Sequence, residues 1–205
     1  HRDLYWLCLN GKAYILDGMQ DLGVRSGEPY STRQYACFSR TGLPAVSIWT
    51  DGDALFFGDA EGGVFRFYSD TSMPESYNDD GAPIRAVWET PDLGGKLFYK
   101  NKSFCRFALQ LTPAAATSVA VWAQKRGSWR LVRKEERKAR YLSYRRWCYS
   151  KFTYSNDSTT KTLHGKLRIK RVDKARFRFV NEELNQPFGL MQIATEFVEN
   201  GNFKG

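Results

Sequence analysis

An all-β fold is predicted, on three observations. Apolar residues recur at alternate positions through most of the chain, turn dipeptides separate those runs at intervals of about ten residues, and a single segment offers a competing helical reading. The expected architecture is a propeller-like but incomplete set of N-terminal strands followed by an antiparallel β-sandwich.

The first element is the stretch YWLCLNGKAYILDG, two apolar runs meeting at Asn10-Gly11. That dipeptide is a strong hairpin signal, because a two-residue type I′ turn needs positive φ at both central positions. Ala45–Thr50 and Ala54–Gly58 form the next β-like runs, and a Gly-rich turn at Glu61-Gly62-Gly63 leads into Val64–Tyr68. Tyr14-Ile15-Leu16-Asp17 matches Phe65-Arg66-Phe67-Tyr68 at an offset of 51 residues, close to the repeat of a propeller blade of four short strands. The first 93 residues are enough for about two blades, so these strands cannot close a ring alone.

Asp70–Pro83 is rich in Ser, Pro, Asn, Asp and Gly and reads as a surface loop. Ile84–Thr90 reads as a strand leaving the first module. From Lys96 onward the period-2 pattern persists. Cys105, Phe107, Leu109 and Leu111 share one face, as do Val119, Val121 and Ala123; Leu167 and Ile169 alternate with Lys166, Arg168 and Lys170. Phe177 and Phe179 alternate with Arg176 and Arg178, and Met191, Ile193, Thr195 and Phe197 with Gln192, Ala194 and Glu196. These are half-buried antiparallel strands, and Leu109, Val121, Ile169, Phe177, Phe179, Ile193 and Phe197 are expected in the core. The competing segment is Leu131–Tyr149, whose Arg, Lys and Glu density suits either a short helix through Ala139 or a strand with a charged hairpin, the strand being preferred.

With 42% hydrophobic and 15% aromatic residues the chain can bury a core, and no window approaches the roughly 18 consecutive apolar residues of a membrane helix. No membrane association is therefore expected. The chain begins at His1 with no charged-then-apolar leader, which suggests a processed product or an internal piece of something longer. Charge is divided unevenly. Residues 1–93 carry 7 basic and 14 acidic side chains, a balance of −7, whereas residues 94–205 carry 24 and 8, a balance of +16. The expected domains are thus an acidic propeller-like module, 1–93, and a basic sandwich, 94–205, meeting near Gly94-Gly95.

Catalysis is not expected. A Ser, Cys or Thr nucleophile needs a base, and the only interior histidine, His164, lies beside Gly165 in a Thr-rich stretch. The carboxylates of Asp51, Asp53, Asp59 and Glu61 read as turn residues that bond their own backbone, in preference to a glycosidase pair or a calcium loop. Cys8, Cys37, Cys105 and Cys148 are far apart and each lies in an apolar stretch, so buried free thiols in a reducing compartment are expected, with no metal or cofactor.

The strongest interaction signal is Lys125–Lys151, where arginines and lysines interleave with Trp129, Tyr141, Tyr144 and Trp147. Trp129, Arg133, Lys134, Arg137, Lys138, Arg145, Arg146 and Trp147 are the candidate interface residues. Docking onto acidic protein surface, such as the first module of another copy, is preferred; non-specific nucleic-acid contact is the alternative. Glycan binding would need an exposed aromatic row, for which Trp122, Trp129 and Trp147 are the available members.

LFFGDAEGGVFRFYSD, the segment NDDGAPIRAVWETPDLGG and the C-terminal PFGLMQIATEFVENGNFKG together resemble virion proteins of tailed bacteriophages, of the tail nozzle, hub and stabilisation type. The resemblance covers roughly residues 45–111 and 176–205. It implies a ring-forming structural subunit of a tail or neck, assembled in the host cytoplasm with copies of itself and other virion proteins, and no catalytic residues to carry over.

Overall fold

The computed structural model describes residues 1–21, 35–68, 74–95, 99–113, 116–125, 127–138 and 161–202. Among them the fold is all-β: every regular element is a strand except a 3-10 turn at Pro74–Tyr77, and no helix is long and apolar enough to cross a membrane. The chain divides into two units, His1–Asp70 and Thr71–Gly205.

The first unit holds two antiparallel three-stranded meanders, and among the described residues no closed propeller or barrel forms. One is β1 (Leu4–Leu9), β2 (Lys12–Asp21) and β3 (Tyr35–Thr41); the other is β4 (Ser47–Asp51), β5 (Ala54–Gly58) and β6 (Val64–Arg66). Asn10 and Gly11 turn with φ of 51° and 70°, as a type I′ hairpin requires. The matching turn of the second meander is Gly52-Asp53, 42 positions on, where only the glycine has positive φ. The two hairpins are thus offset by 42 residues rather than 51, in sheets of three strands rather than four: Tyr14–Asp17 lie in a central strand, Phe65 and Arg66 in an edge strand. Ala13, Leu43 and Phe57 are buried here, with Trp6, Ile48, Phe65 and Phe67 packed around them.

The second unit opens with a small hairpin, β7 (Asn78–Asp79) and β8 (Ala82–Pro83), then β9 (Ala86–Glu89). The remaining strands are β10 (Lys100–Leu111), β11 (Ala116–Lys125), β12 (Ser128–Lys138), β13 (Lys161–Val172), β14 (Arg176–Asn181) and β15 (Leu190–Asn202). They form a β-sandwich of two antiparallel sheets, ordered β13-β10-β15 and β12-β11-β14-β9. One core cluster takes Phe104, Phe107, Leu109, Leu163 and Leu167 from the first sheet and Val119, Val121, Phe177 and Phe179 from the second. Phe104 and Phe177 meet edge to face across it, 6.0 Å apart. At one end the buried Lys102 donates from Nζ to the carbonyls of Lys100 and Asp173.

The compact units divide after Asp70, and β9, which pairs with β14, belongs with the basic unit. Two expectations are corrected. Leu109, Val121, Ile169, Phe177 and Phe179 are buried and Ile193 half-buried, but Phe197 is 44% exposed. It touches Phe104 at 5.6 Å from an edge strand that leaves the rest of its ring in solvent. The thiols are unpaired but not deeply buried: Cys8 and Cys105 are half-buried and Cys37 is exposed, while Cys148 lies outside the described residues. The preferred strand reading of the Arg-rich segment holds as far as Lys138; residues 139–149 lie outside the described residues.

Candidate interaction surface

Among the described residues β12 is an edge strand, bonded to β11 alone, and it presents its Arg-rich side chains there. Simple alternation would put Trp129, Leu131 and Arg133 on one face. Instead the register shifts between Val121, which faces Arg133, and Trp122, which faces Leu131. One extra residue, Val132, is taken up at this β-bulge and packs against the core. The bulge separates the predicted residues. Trp129, Leu131 and Lys134 line a recess of about 380 Å³ with Trp122 and Arg178, whereas Arg133 lines an opening of about 770 Å³ with Arg106, His164 and Lys166. The side chains of Arg137 and Lys138 lie outside the description, as do residues Arg145, Arg146 and Trp147.

Most charges around the recess are met within the unit. Arg178 stacks over Trp129, 4.1 Å from its ring centroid, and its Nε donates to Glu89 Oε1 at 2.6 Å. Arg176 reaches the same carboxylate at 3.2 Å. Lys134 donates to Glu183 at 2.7 Å, a bond that with the charge of Glu183 holds its ammonium pKa above the ordinary lysine value. Arg133 pairs with Glu135, and Lys174 with Asp92 at 2.7 Å. Counted over the observed units, residues 1–70 hold 6 basic and 9 acidic side chains, a balance of −3, and residues 71–205 hold 25 and 13, a balance of +12.

The acidic turn residues behave as hydrogen-bond acceptors for their own loop: Asp59 Oδ1 accepts from the amides of Glu61 and Gly63. Among the described residues no three His, Cys, Asp or Glu side chains are grouped to hold a metal ion. His164 stands exposed on β13, facing Ala108 of β10. Alternation alone does not single out two further surfaces. One is the outward face of β1 and β2, where Tyr5, Leu7, Leu9 and Tyr14 are 65%, 47%, 58% and 38% exposed. The other is the outward row of β13, Lys166, Arg168 and Lys170, which had been read only as the polar half of an amphipathic strand. No protein-family model matches the chain, and no curated protein is detectably similar to it in sequence.

Proposed function

We propose that the chain is a non-catalytic structural subunit that assembles with copies of itself, as a ring component of a phage-like tail or neck in the virion. The carrying observation is that the β1-β2 sheet is apolar on both faces. Trp6 and Cys8 of β1 pack inward around Ala13. Tyr5, Leu7 and Leu9 point the other way, with Leu7 opposite Tyr14 and Tyr5 opposite Leu16 in register. A strand apolar on both sides is the pattern of a layer covered on both sides, and a contiguous exposed apolar face marks an interface. The tail assignment rests on the resemblance of residues 45–111 and 176–205 described above.

The occupant of this face is a second copy of the chain. A ring requires two different patches on each copy, because a heterologous contact repeats head to tail. The second patch is the β12 recess, where half-exposed Leu131 and the aromatic pair Trp122 and Trp129 supply the kind of anchor that dominates interfaces. Lys134 and Arg178 at its rim are already paired with Glu183 and Glu89, so the apolar anchors carry this contact.

Two variants test this by light scattering: Leu7→Lys with Tyr14→Lys removes one patch, and Leu131→Lys the other. All three positions are exposed, so the folds should persist by circular dichroism. Each variant alone is expected to be monomeric. Mixed, they retain one good patch each and should form heterodimers but nothing larger. A wild-type chain that stays monomeric at high concentration overturns the reading.

A further inference from the structure

The basic residues of the second unit divide into two groups. Four of those on β12 and β14 are met by carboxylates: Arg133 by Glu135, Lys134 by Glu183, and Arg176 and Arg178 by Glu89. Those on the outward row of β13 are not. Thr162, His164, Lys166, Arg168 and Lys170 are all exposed, alternating with buried Leu163, Gly165, Leu167 and Ile169. Among the described residues, Lys166, Arg168 and Lys170 have no ion-pair partner. Like charges also meet head-on: Arg106 of β10 is the register partner of Lys166. Such a pair is unfavourable in isolation. The nearest relief is Glu196 on the far side of β10, a loose 3.9 Å contact to Arg106 alone. Among the described residues, Glu196 is the single acidic one around an opening of about 770 Å³ to which Arg106, Arg133, His164 and Lys166 all contribute.

We infer that this row, Lys166, Arg168 and Lys170 with Arg106 beside it, binds the phosphate backbone of double-stranded nucleic acid without reading its sequence. The site is independent of the assembly surfaces proposed above. An extended strand places alternate side chains about 6.6–6.8 Å apart, a spacing at which successive cations can each meet a separate phosphate along one strand of a duplex. An acidic protein partner fits less well. Protein interfaces need buried apolar or aromatic anchors, whereas Lys166 faces Arg106 in register, and the outward residues that continue the row, His164 and Thr162, face Ala108 and Gln110. The same lack of aromatic platforms beside the row argues for duplex over single strands, which bind largely by base stacking.

Fluorescence anisotropy with two duplexes of unrelated sequence, over 50 to 200 mM salt, tests the inference on the full chain. The probe variant is Lys166→Gln, Arg168→Gln, Lys170→Gln, all at exposed positions. The wild type should bind both duplexes equally, and the variant's log-log salt slope should be less steep by about 2.7, some 0.9 for each lost phosphate contact. That slope corresponds to about a 40-fold change in affinity over the same salt range. By light scattering the variant should keep the wild-type oligomeric state, so failure of this inference and failure of the assembly reading are separable. An unchanged salt slope in the variant overturns the inference. So does tight, row-dependent binding of polyglutamate in place of DNA, which would assign the row to an acidic protein.

Discussion

Gly165→Ala is the sharpest test of the sandwich core. Gly165 sits on β13 directly opposite Phe107 of β10, whose ring lies over the glycine. A Cβ built at Gly165 would stand 2.2 Å from Phe107 Cε1 and 2.3 Å from Cζ, more than 1 Å inside ordinary contact. The ring cannot swing clear cheaply, because Phe107 is buried in the core cluster with Leu109 and Leu163. Overpacking of this kind costs about 1–3 kcal/mol. Against that, alanine is better than glycine in a strand by about 0.5–1 kcal/mol, and the backbone at Gly165 is outside the left-handed region, so alanine meets no conformational strain. The net expectation is a loss of about 1–2 kcal/mol, a fall in Tm on the order of 5 °C for a unit of this size. Thermal and urea unfolding supply the measurement. In a Phe107→Ala background, itself destabilised by about 3–5 kcal/mol, the added methyl finds room and Gly165→Ala should become neutral or stabilising. If Gly165→Ala is neutral or stabilising with Phe107 in place, the packing described here is wrong.

The thiols and one ion pair give two more tests. Burial raises the pKa of the half-buried Cys8, whereas Cys37 is exposed; iodoacetamide at neutral pH, followed by mass spectrometry, should label Cys37 first, and equal rates would contradict the burial of Cys8. The bond from Lys174 and its charge hold the Asp92 carboxyl below the usual range, so the pair's contribution is present above the unfolded carboxylate value of about 3.9 and lost as pH falls through the lower folded value. Lys174 is raised by the same bond, so its side of that contribution is present below the ordinary lysine value and lost as pH climbs through the raised one. Carboxyl-detected NMR should show the Asp92 midpoint moving up in Lys174→Met, and an unmoved midpoint would remove the pair from the account.

Alternation was enough to place Leu109, Val121, Ile169, Phe177 and Phe179 in the core, since a period of two fixes which side of a sheet a residue faces. It does not fix how much lies over that side, which is why Phe197 is on the expected face of β15 and still half in solvent. Nor does it name a strand's neighbours: Ala86–Glu89 would read alike in either unit, and only its pairing with Arg178–Asn181 assigns it. The bulge at Val132 leaves no mark of its own in a run of Arg, Lys and Glu, yet it sends Arg133 and Lys134 to different surfaces. The two hairpins of the first unit share a 42-residue offset but use different turns, Asn10-Gly11 and Gly52-Asp53, so a match of short apolar strings pairs a central strand with an edge instead.

Net charge misled in a similar way, and the reason separates the two surfaces. The acidic segment 71–93, assigned by composition to the first module, contributes Glu89 to Arg176 and Arg178, and Asp92 to Lys174. Much of the complementarity that seemed available between copies is therefore used within one unit, where it fastens β9 to β14. Charges already paired at 2.6 to 3.2 Å are poor recruiters of a partner, since any new contact must first break the old one. Two features are left over among the described residues, a row of cations without ion-pair partners on β13 and an exposed apolar face on β1 and β2. A partner for the first must bring negative charge and need no anchor, and a partner for the second must bring apolar surface and need no charge. No single occupant meets both demands, so the apolar face and the basic row are expected to engage different molecules and to fail separately under mutation.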